Sequence, residues 1–191
     1  DPDRLVQVYG RAWQGDRGDP TPDPLNGPVG LAEQREFRAR SRTFDRLAGY
    51  YLGTRHLDGP SGPERLTAVL TDTEFFTVLG VQPIAGRTFT AGDVPDAVVI
   101  SGAFWQRRFN RDPGLIGRSL TLDGRAVTVL GVMPDAFQFP YRAASLMDGS
   151  LPESRTDVWV LGEARRAAPT TRTSVVGRMK PGVTIDEALA D

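Results

Sequence analysis

The sequence predicts an α+β fold of antiparallel strand pairs and short strand-to-helix steps, and three stretches carry the prediction. First, Asp123-Gly124 stands between two alternating runs, Leu120 and Leu122 before it and Val127, Val129 and Gly131 after it, the strongest short-range hairpin pattern. Second, AVVI at 97–100 is short, apolar and β-branched, as a buried strand should be, and Ser101 follows it as a helix N-cap for GAFWQRRF. Third, the strand-like ERLTAVLTD at 64–72 runs into Thr71-Asp72-Thr73-Glu74, the spacing of a capping box, which predicts a short helix EFFTVLG ending at Gly80.

The remaining elements follow in chain order. LVQVY at 5–9 reads as a strand, and the Gly, Pro and Asp of 10–28 read as a loop. From Val29 to about Leu47 the residues favour a helix that places Phe37, Ser41, Phe44 and Ala48 on one face. Residues 48–57 and 64–72 then read as two paired strands joined by DGPSGP, with Leu66, Ala68 and Leu70 sharing a face. In the predicted helices, Phe75, Phe76 and Leu79 form one buried side, and Trp105 and Phe109, four residues apart, form another. After the polar, Pro-containing 140–156 come a strand DVWVL, a loop, a strand SVVGRMK, the turn Pro181-Gly182 and a helix opened by Thr184 with Glu187 three residues on.

Composition narrows the function classes. The 191 residues suffice for one large domain or two small ones, and 23 basic residues against 24 acidic leave a net charge of -1, which gives no field to hold nucleic acid. The chain has no Cys and one His, so thiol chemistry, disulfides and Cys-based zinc sites are excluded and most His-based metal or triad chemistry is disfavoured. No stretch approaches the roughly 20 apolar residues of a membrane span, so the expectation is a soluble protein or an extramembrane part of a larger one.

Each candidate for chemistry has a plainer reading beside it. His56 lacks an adjacent nucleophile and reads as a strand-edge residue. Asp16, Asp19 and Asp23, and then Asp93 and Asp96, match no calcium-loop spacing and read as turn and cap formers. No phosphate-binding glycine motif is present. Ser101 lies between a strand and a helix, where a hydrolase nucleophile would sit, but lacks the flanking glycine. Phe75-Phe76 and the Trp105/Phe109 face suit a core better than a binding groove. The residues therefore describe a binding or structural module, with no catalytic, cofactor-binding or metal residue assigned and no cofactor expected.

The order of motifs adds a resemblance. REFRARSRTFDRLAGY, FFxVLGVxPxxGRxF, VVISxxxWxxRF, DPxxIGxxLxLDGxxxxVxGVMP, DVWVLG and the closing RxKPGVT occur in sequence over nearly the whole chain, which resembles the MacB-like periplasmic core domain of ABC transporter permeases. The resemblance implies a two-lobed domain outside the cytoplasmic membrane: a porter-like lobe of βαβ units at 1–85 and 157–191, and an inserted mixed α/β lobe at 86–156 that holds the hairpin. Where the boundaries between these lobes are rich in Gly and Pro, near 80–95 and 140–156, hinge movement is expected. It further implies a non-catalytic part of an inner-membrane transporter that passes on movements driven by ATP hydrolysis. The implied partners are an ABC ATPase subunit or domain acting through the membrane helices, a second permease copy, and a periplasmic adaptor or exported substrate; no nucleic acid is implied. Two other readings are a stand-alone envelope module binding a ligand or peptide and a hydrolase using Ser101.

Overall fold

The computed structural model describes residues 2–8, 10–11, 26–27, 29–60, 62–93, 95–139, 155–162 and 172–191. After a 3-10 turn at Pro2–Arg4, the strands and helices are β1 (Leu5–Val8), β2 (Gly10–Arg11), β3 (Asn26–Gly27), β4 (Val29–Gly30), α1 (Leu31–Arg40), β5 (Phe44–Leu57), β6 (Glu64–Thr71) and α2 (Phe75–Leu79). They continue as β7 (Ala85–Gly86), β8 (Ala97–Ser101), α3 (Gly102–Phe109), β9 (Ser119–Leu122), β10 (Arg125–Met133), β11 (Val158–Leu161), β12 (Arg172–Met179) and α4 (Ile185–Ala190). The loop read at 10–28, most of 140–156 and the loop before β12 lie largely outside the described residues.

The hairpin forms where Asp123 and Gly124 take φ of 49° and 75°, the paired left-handed conformation of a tight two-residue turn, and Leu122 pairs with Arg125 across it. Its strands belong to something larger. β5, β6, β11, β8, β10 and β9 are hydrogen-bonded edge to edge, and β9 returns to β5 at Leu57↔Leu122, so the strands close into a small barrel.

Alternate residues point to opposite sides of that wall. Leu66, Ala68 and Leu70 of β6, Val98 and Ile100 of β8, Val127 and Val129 of β10 and Val158 and Val160 of β11 share an inner core with Leu57 and Leu122. Their neighbours Val69, Ala97, Val99, Met133, Trp159 and Leu161 meet Phe75, Phe76 and Leu79 of α2 in a second core outside the wall. Apolar partners on both faces explain why AVVI and VWVL are buried along their length.

α3 closes one end of the barrel. Ser101 caps it, its hydroxyl accepting from the Phe104 N–H at 3.2 Å, as the sequence predicts, and Phe104 and Trp105 enter the inner core. Trp105 Nε1 donates to the Asp112 carbonyl at 2.9 Å, and Arg107 reaches Glu64 and Asp157 at 3.3 and 3.1 Å, where β6 and β11 begin.

Beside the barrel stands a wing. Residues 44–50 of β5 pair with β12 and residues 50–57 with β6, so the strand passes from one partner to the other at Tyr50. β1 and β4 pair with the far edge of β12. Phe44, Leu47, Val175 and Met179 form a third core, against which Phe37 of α1, Val6 and Val8 of β1 and Ala188 of α4 pack. Gly177 is required there, because a Cβ would lie 2.5 Å from the Phe44 ring.

Two expectations are corrected. The helix read to about Leu47 ends at Arg40, and Phe44 and Ala48 lie on β5 instead of a helical face. Ser41, Arg42 and Thr43 break the helix, and the β12 edge supplies the hydrogen bonds that hold the next seven residues extended. The capping box at Thr71 does not form: Thr71 ends β6, its hydroxyl donates to the Gly49 carbonyl at 2.9 Å, and Glu74 at the N-cap makes no side-chain cap. Asp72 occupies the turn instead and accepts from the Glu74 N–H at 3.0 Å. Gly80 ends α2 in the left-handed region at φ 69°, as read.

Candidate functional site

The residues singled out for chemistry are not brought together. Ser101 is buried, with its hydroxyl on the N-terminus of α3. His56 is exposed on β5, its Nδ1 3.0 Å from Asp123 Oδ1 at the hairpin tip. A nucleophile and a base in mutual contact, which acyl transfer would need, are therefore not assembled from these two. Asp93 binds Arg87 through both oxygens at 2.6 and 2.7 Å and accepts from the Thr90 N–H at 2.7 Å. The Arg87 hydrogen bonds hold its carboxyl down, at about 2. Asp96 takes φ 86° ahead of β8, and its carbonyl accepts from the Thr128 N–H at 2.9 Å. Asp16, Asp19 and Asp23 lie outside the described residues. Phe75 and Phe76 are packed under the sheet, and Trp105 and Phe109 belong to the barrel end.

Two features escaped the sequence reading. Arg55 shares its strand face with Leu57, in the register that faces the inner core, and lines a mouth of about 310 Å³ with Asp96, Leu122, Asp123 and Arg125. Strict alternation of apolar residues on β5 would have marked such an arginine, but Gly53 and Thr54 interrupt it. Asp72 ties three elements together: it accepts from Arg38 of α1 at 2.9 Å, from the Gly49 N–H of β5 at 3.1 Å and from Glu74 before α2. Burial pushes its carboxyl up, and Arg38 and these two N–H groups pull against that shift.

A second concavity among the described residues is larger and more apolar. It has a volume of about 610 Å³ and lies between β1, the end of α2 and Phe137 and Phe139, with Arg178 at its rim donating through Nε to the Val78 carbonyl at 2.7 Å.

The beginning and end of the described chain meet at the wing. Leu5 pairs with Arg178, and Arg4 Nε donates to the Met179 carbonyl at 2.7 Å. Lys180 Nζ donates to the Arg42 carbonyl at 2.7 Å. α4 opens with the predicted capping box of Thr184 and Glu187, and the Asp191 carboxylate accepts from the Arg42 and Thr43 N–H groups at 2.8 and 3.1 Å. The start of β1, the end of β12 and the last helix thus lie together at one pole of the wing. Among the described residues no helix is long and apolar enough to cross a membrane.

That architecture, a wing carrying both chain ends and a barrel beyond it, has relatives. The family model of the MacB-like periplasmic core domain matches residues 1–191. The chain belongs to this family. It is therefore a periplasmic or extracellular domain of the MacB-like ABC transporter permease group. Three solved structures share the fold. The periplasmic region of MacB from Actinobacillus actinomycetemcomitans is 12% identical, with 97% of this chain and 78% of that one aligned at a TM-score of 0.66. The extracellular domain of the noncanonic ABC-type transporter YknZ from Gram-positive bacteria is 13% identical over 96% of this chain and 88% of that one, at 0.64. A permease-protein domain from Porphyromonas gingivalis is 16% identical over 96% and 76%, also at 0.64. No curated protein sequence matches the chain.

Proposed function

We propose that this domain works without catalysing a reaction, as the extracytoplasmic part of an inner-membrane permease that turns cytoplasmic ATP hydrolysis into movement for export or envelope remodelling. The observation that carries the reading is the shared pole: Leu5 beside Arg178 and Arg4 on Met179 would seat the domain on two adjoining membrane helices. The partners are an ABC ATPase subunit or domain, a second permease copy, and a periplasmic adaptor or the exported substrate. The moving parts are a porter-like lobe at 1–85 and 157–191 and an inserted lobe at 86–156, with a hinge near 80–95; the second boundary, near 140–156, lies largely outside the described residues. This division would cross the closed ring at β11–β8, where three residue pairs join the lobes, and at β5–β9, where one does, so movement would pivot on the first seam and open the second.

These 191 residues contribute no Cys, so once any cysteines elsewhere in the permease and its ATPase are replaced, spin labels can be placed at Asp45→Cys in the wing and Ser119→Cys in the barrel of the full-length permease in lipid nanodiscs. The expected result is a distance distribution that shifts on ATP binding and returns after hydrolysis. Identical distributions in every nucleotide state would overturn the mechanical reading. A shift with a candidate peptide alone, and none with nucleotide, would favour a ligand-binding module, the reading that draws its support from the 610 Å³ groove.

A further inference from the structure

We infer that the barrel has one releasable seam: the hairpin tip is latched to β5 by Asp123, and this latch opens as a unit while the rest of the wall stays paired. The contrast between seams points to it. β5 and β6 are in register from Tyr50↔Thr71 to Leu57↔Glu64, and β11 and β6 from Val158↔Ala68 to Leu161↔Thr71. β5 and β9 meet at Leu57↔Leu122 alone, flanked by the backbone bonds Asp58 N–H to the Thr121 carbonyl at 3.0 Å and Asp123 N–H to the His56 carbonyl at 2.8 Å.

Side chains at the water-facing rim complete the closure. Asp123 Oδ1 accepts from the His56 N–H at 2.9 Å and lies 3.0 Å from His56 Nδ1, while Oδ2 is 3.5 Å from Arg55 Nε. Asp58 Oδ2 accepts from the Gly124 N–H at 3.3 Å. Exposed polar contacts of this kind exchange readily for water, so they fix the register of the seam at little free-energy cost to opening. Beneath them Leu57 and Leu122 are buried and drive reclosure. The turn itself keeps the pin in place: with φ 49°, Asp123 directs its carboxylate back across the seam. Arg55, Leu122 and Asp123 also line the 310 Å³ mouth, so release of the latch widens the entry to the inner core.

Hydrogen exchange on the 191-residue chain tests this without reference to transport, so its outcome is separate from that of the spin-label experiment. The His56, Asp58 and Asp123 amides should exchange about tenfold or more faster than amides of β6 and β8, and Asp123→Ala should speed the first set further while leaving the second unchanged. Seam amides that exchange no faster than β6 would overturn the inference. A second variant guards against a fold that fails: Leu57→Cys with Leu122→Cys places two thiols at a pair without direct hydrogen bonds, where antiparallel backbones lie closest. The oxidised form should slow seam exchange to the level of β6, and reduction should restore it. Equal exchange in the two redox forms would refute the latch.

Discussion

In the barrel, β8 and β10 run parallel through α3, β9 and β10 are joined by a two-residue turn, and alternate side chains of each strand fall into one inner core. In the wing, residues 44–50 of β5 and residues 5–8 of β1 acquire order from β12, which comes late in the chain. The barrel adds short-range connections and a core shared around a ring to its long-range pairs such as Val158↔Ala68, whereas each strand pair of the wing closes a long stretch of chain. Such closure is entropically costly before any contact rewards it, and sets the wing up as the region that opens first.

The largest effect should come from the ring. Ile100→Ala removes a fully buried side chain from the inner core and should cost about 3–4 kcal/mol, destabilising barrel and wing together because β5 belongs to both. Urea unfolding followed by tryptophan fluorescence, with Trp105 and Trp159 in barrel elements, measures the loss. Leu47→Ala, in the wing core, should cost about 2–3 kcal/mol and raise exchange first in β1, β12 and α4. If β8 and β10 respond equally to Leu47→Ala, wing and barrel form one cooperative unit and the contrast fails.

The difference also explains what could be read from the chain. Asp123-Gly124, AVVI followed by Ser101, and Thr184 with Glu187 are local signals whose partners lie within a few residues, and each appears in the structure as the residues suggest. Phe44 to Leu47 carries no such signal, although 48–57 reads correctly as a strand. Phe37, Ser41, Phe44 and Ala48 fit helical spacing, and only the β12 edge turns the second half of that stretch into a strand. Thr71 and Asp72 carry a capping-box pattern whose atoms are diverted to Gly49, a residue of the neighbouring strand. Ring closure was invisible for a related reason, since nothing in Leu57 or Leu122 names the other.

Acid gives the gentlest probe. Asp93, bonded to Arg87, has its folded carboxyl lowered to about 2, below the ordinary value of 3.8. Its contribution is therefore present above about pH 4 and lost as pH falls toward 2, and after solvent screening it amounts to about 1 kcal/mol. Asp93→Asn should remove that increment at pH 6 and flatten the decline in thermal stability between pH 5 and pH 2. An unchanged pH profile would show that the Arg87 pair contributes nothing. The Asp191 and Glu187 carboxylates at the wing are lowered as well, through the Ser41 and Thr43 hydroxyls and through Thr184, so the residual acid dependence of Asp93→Asn should be concentrated in α4 and the 41–43 turn it contacts.

Closing a sheet into a ring also bears on life in a crowded compartment. A strand edge with free N–H and carbonyl groups is a template on which another chain can grow, and proteins blunt such edges by keeping them short or by covering them. Here the return of β9 to β5 joins two edges that would otherwise face outward. At the ends of the strand order stand β1, four residues long, and β7, only two. Among the described residues, little strand edge is therefore left on which another chain could grow.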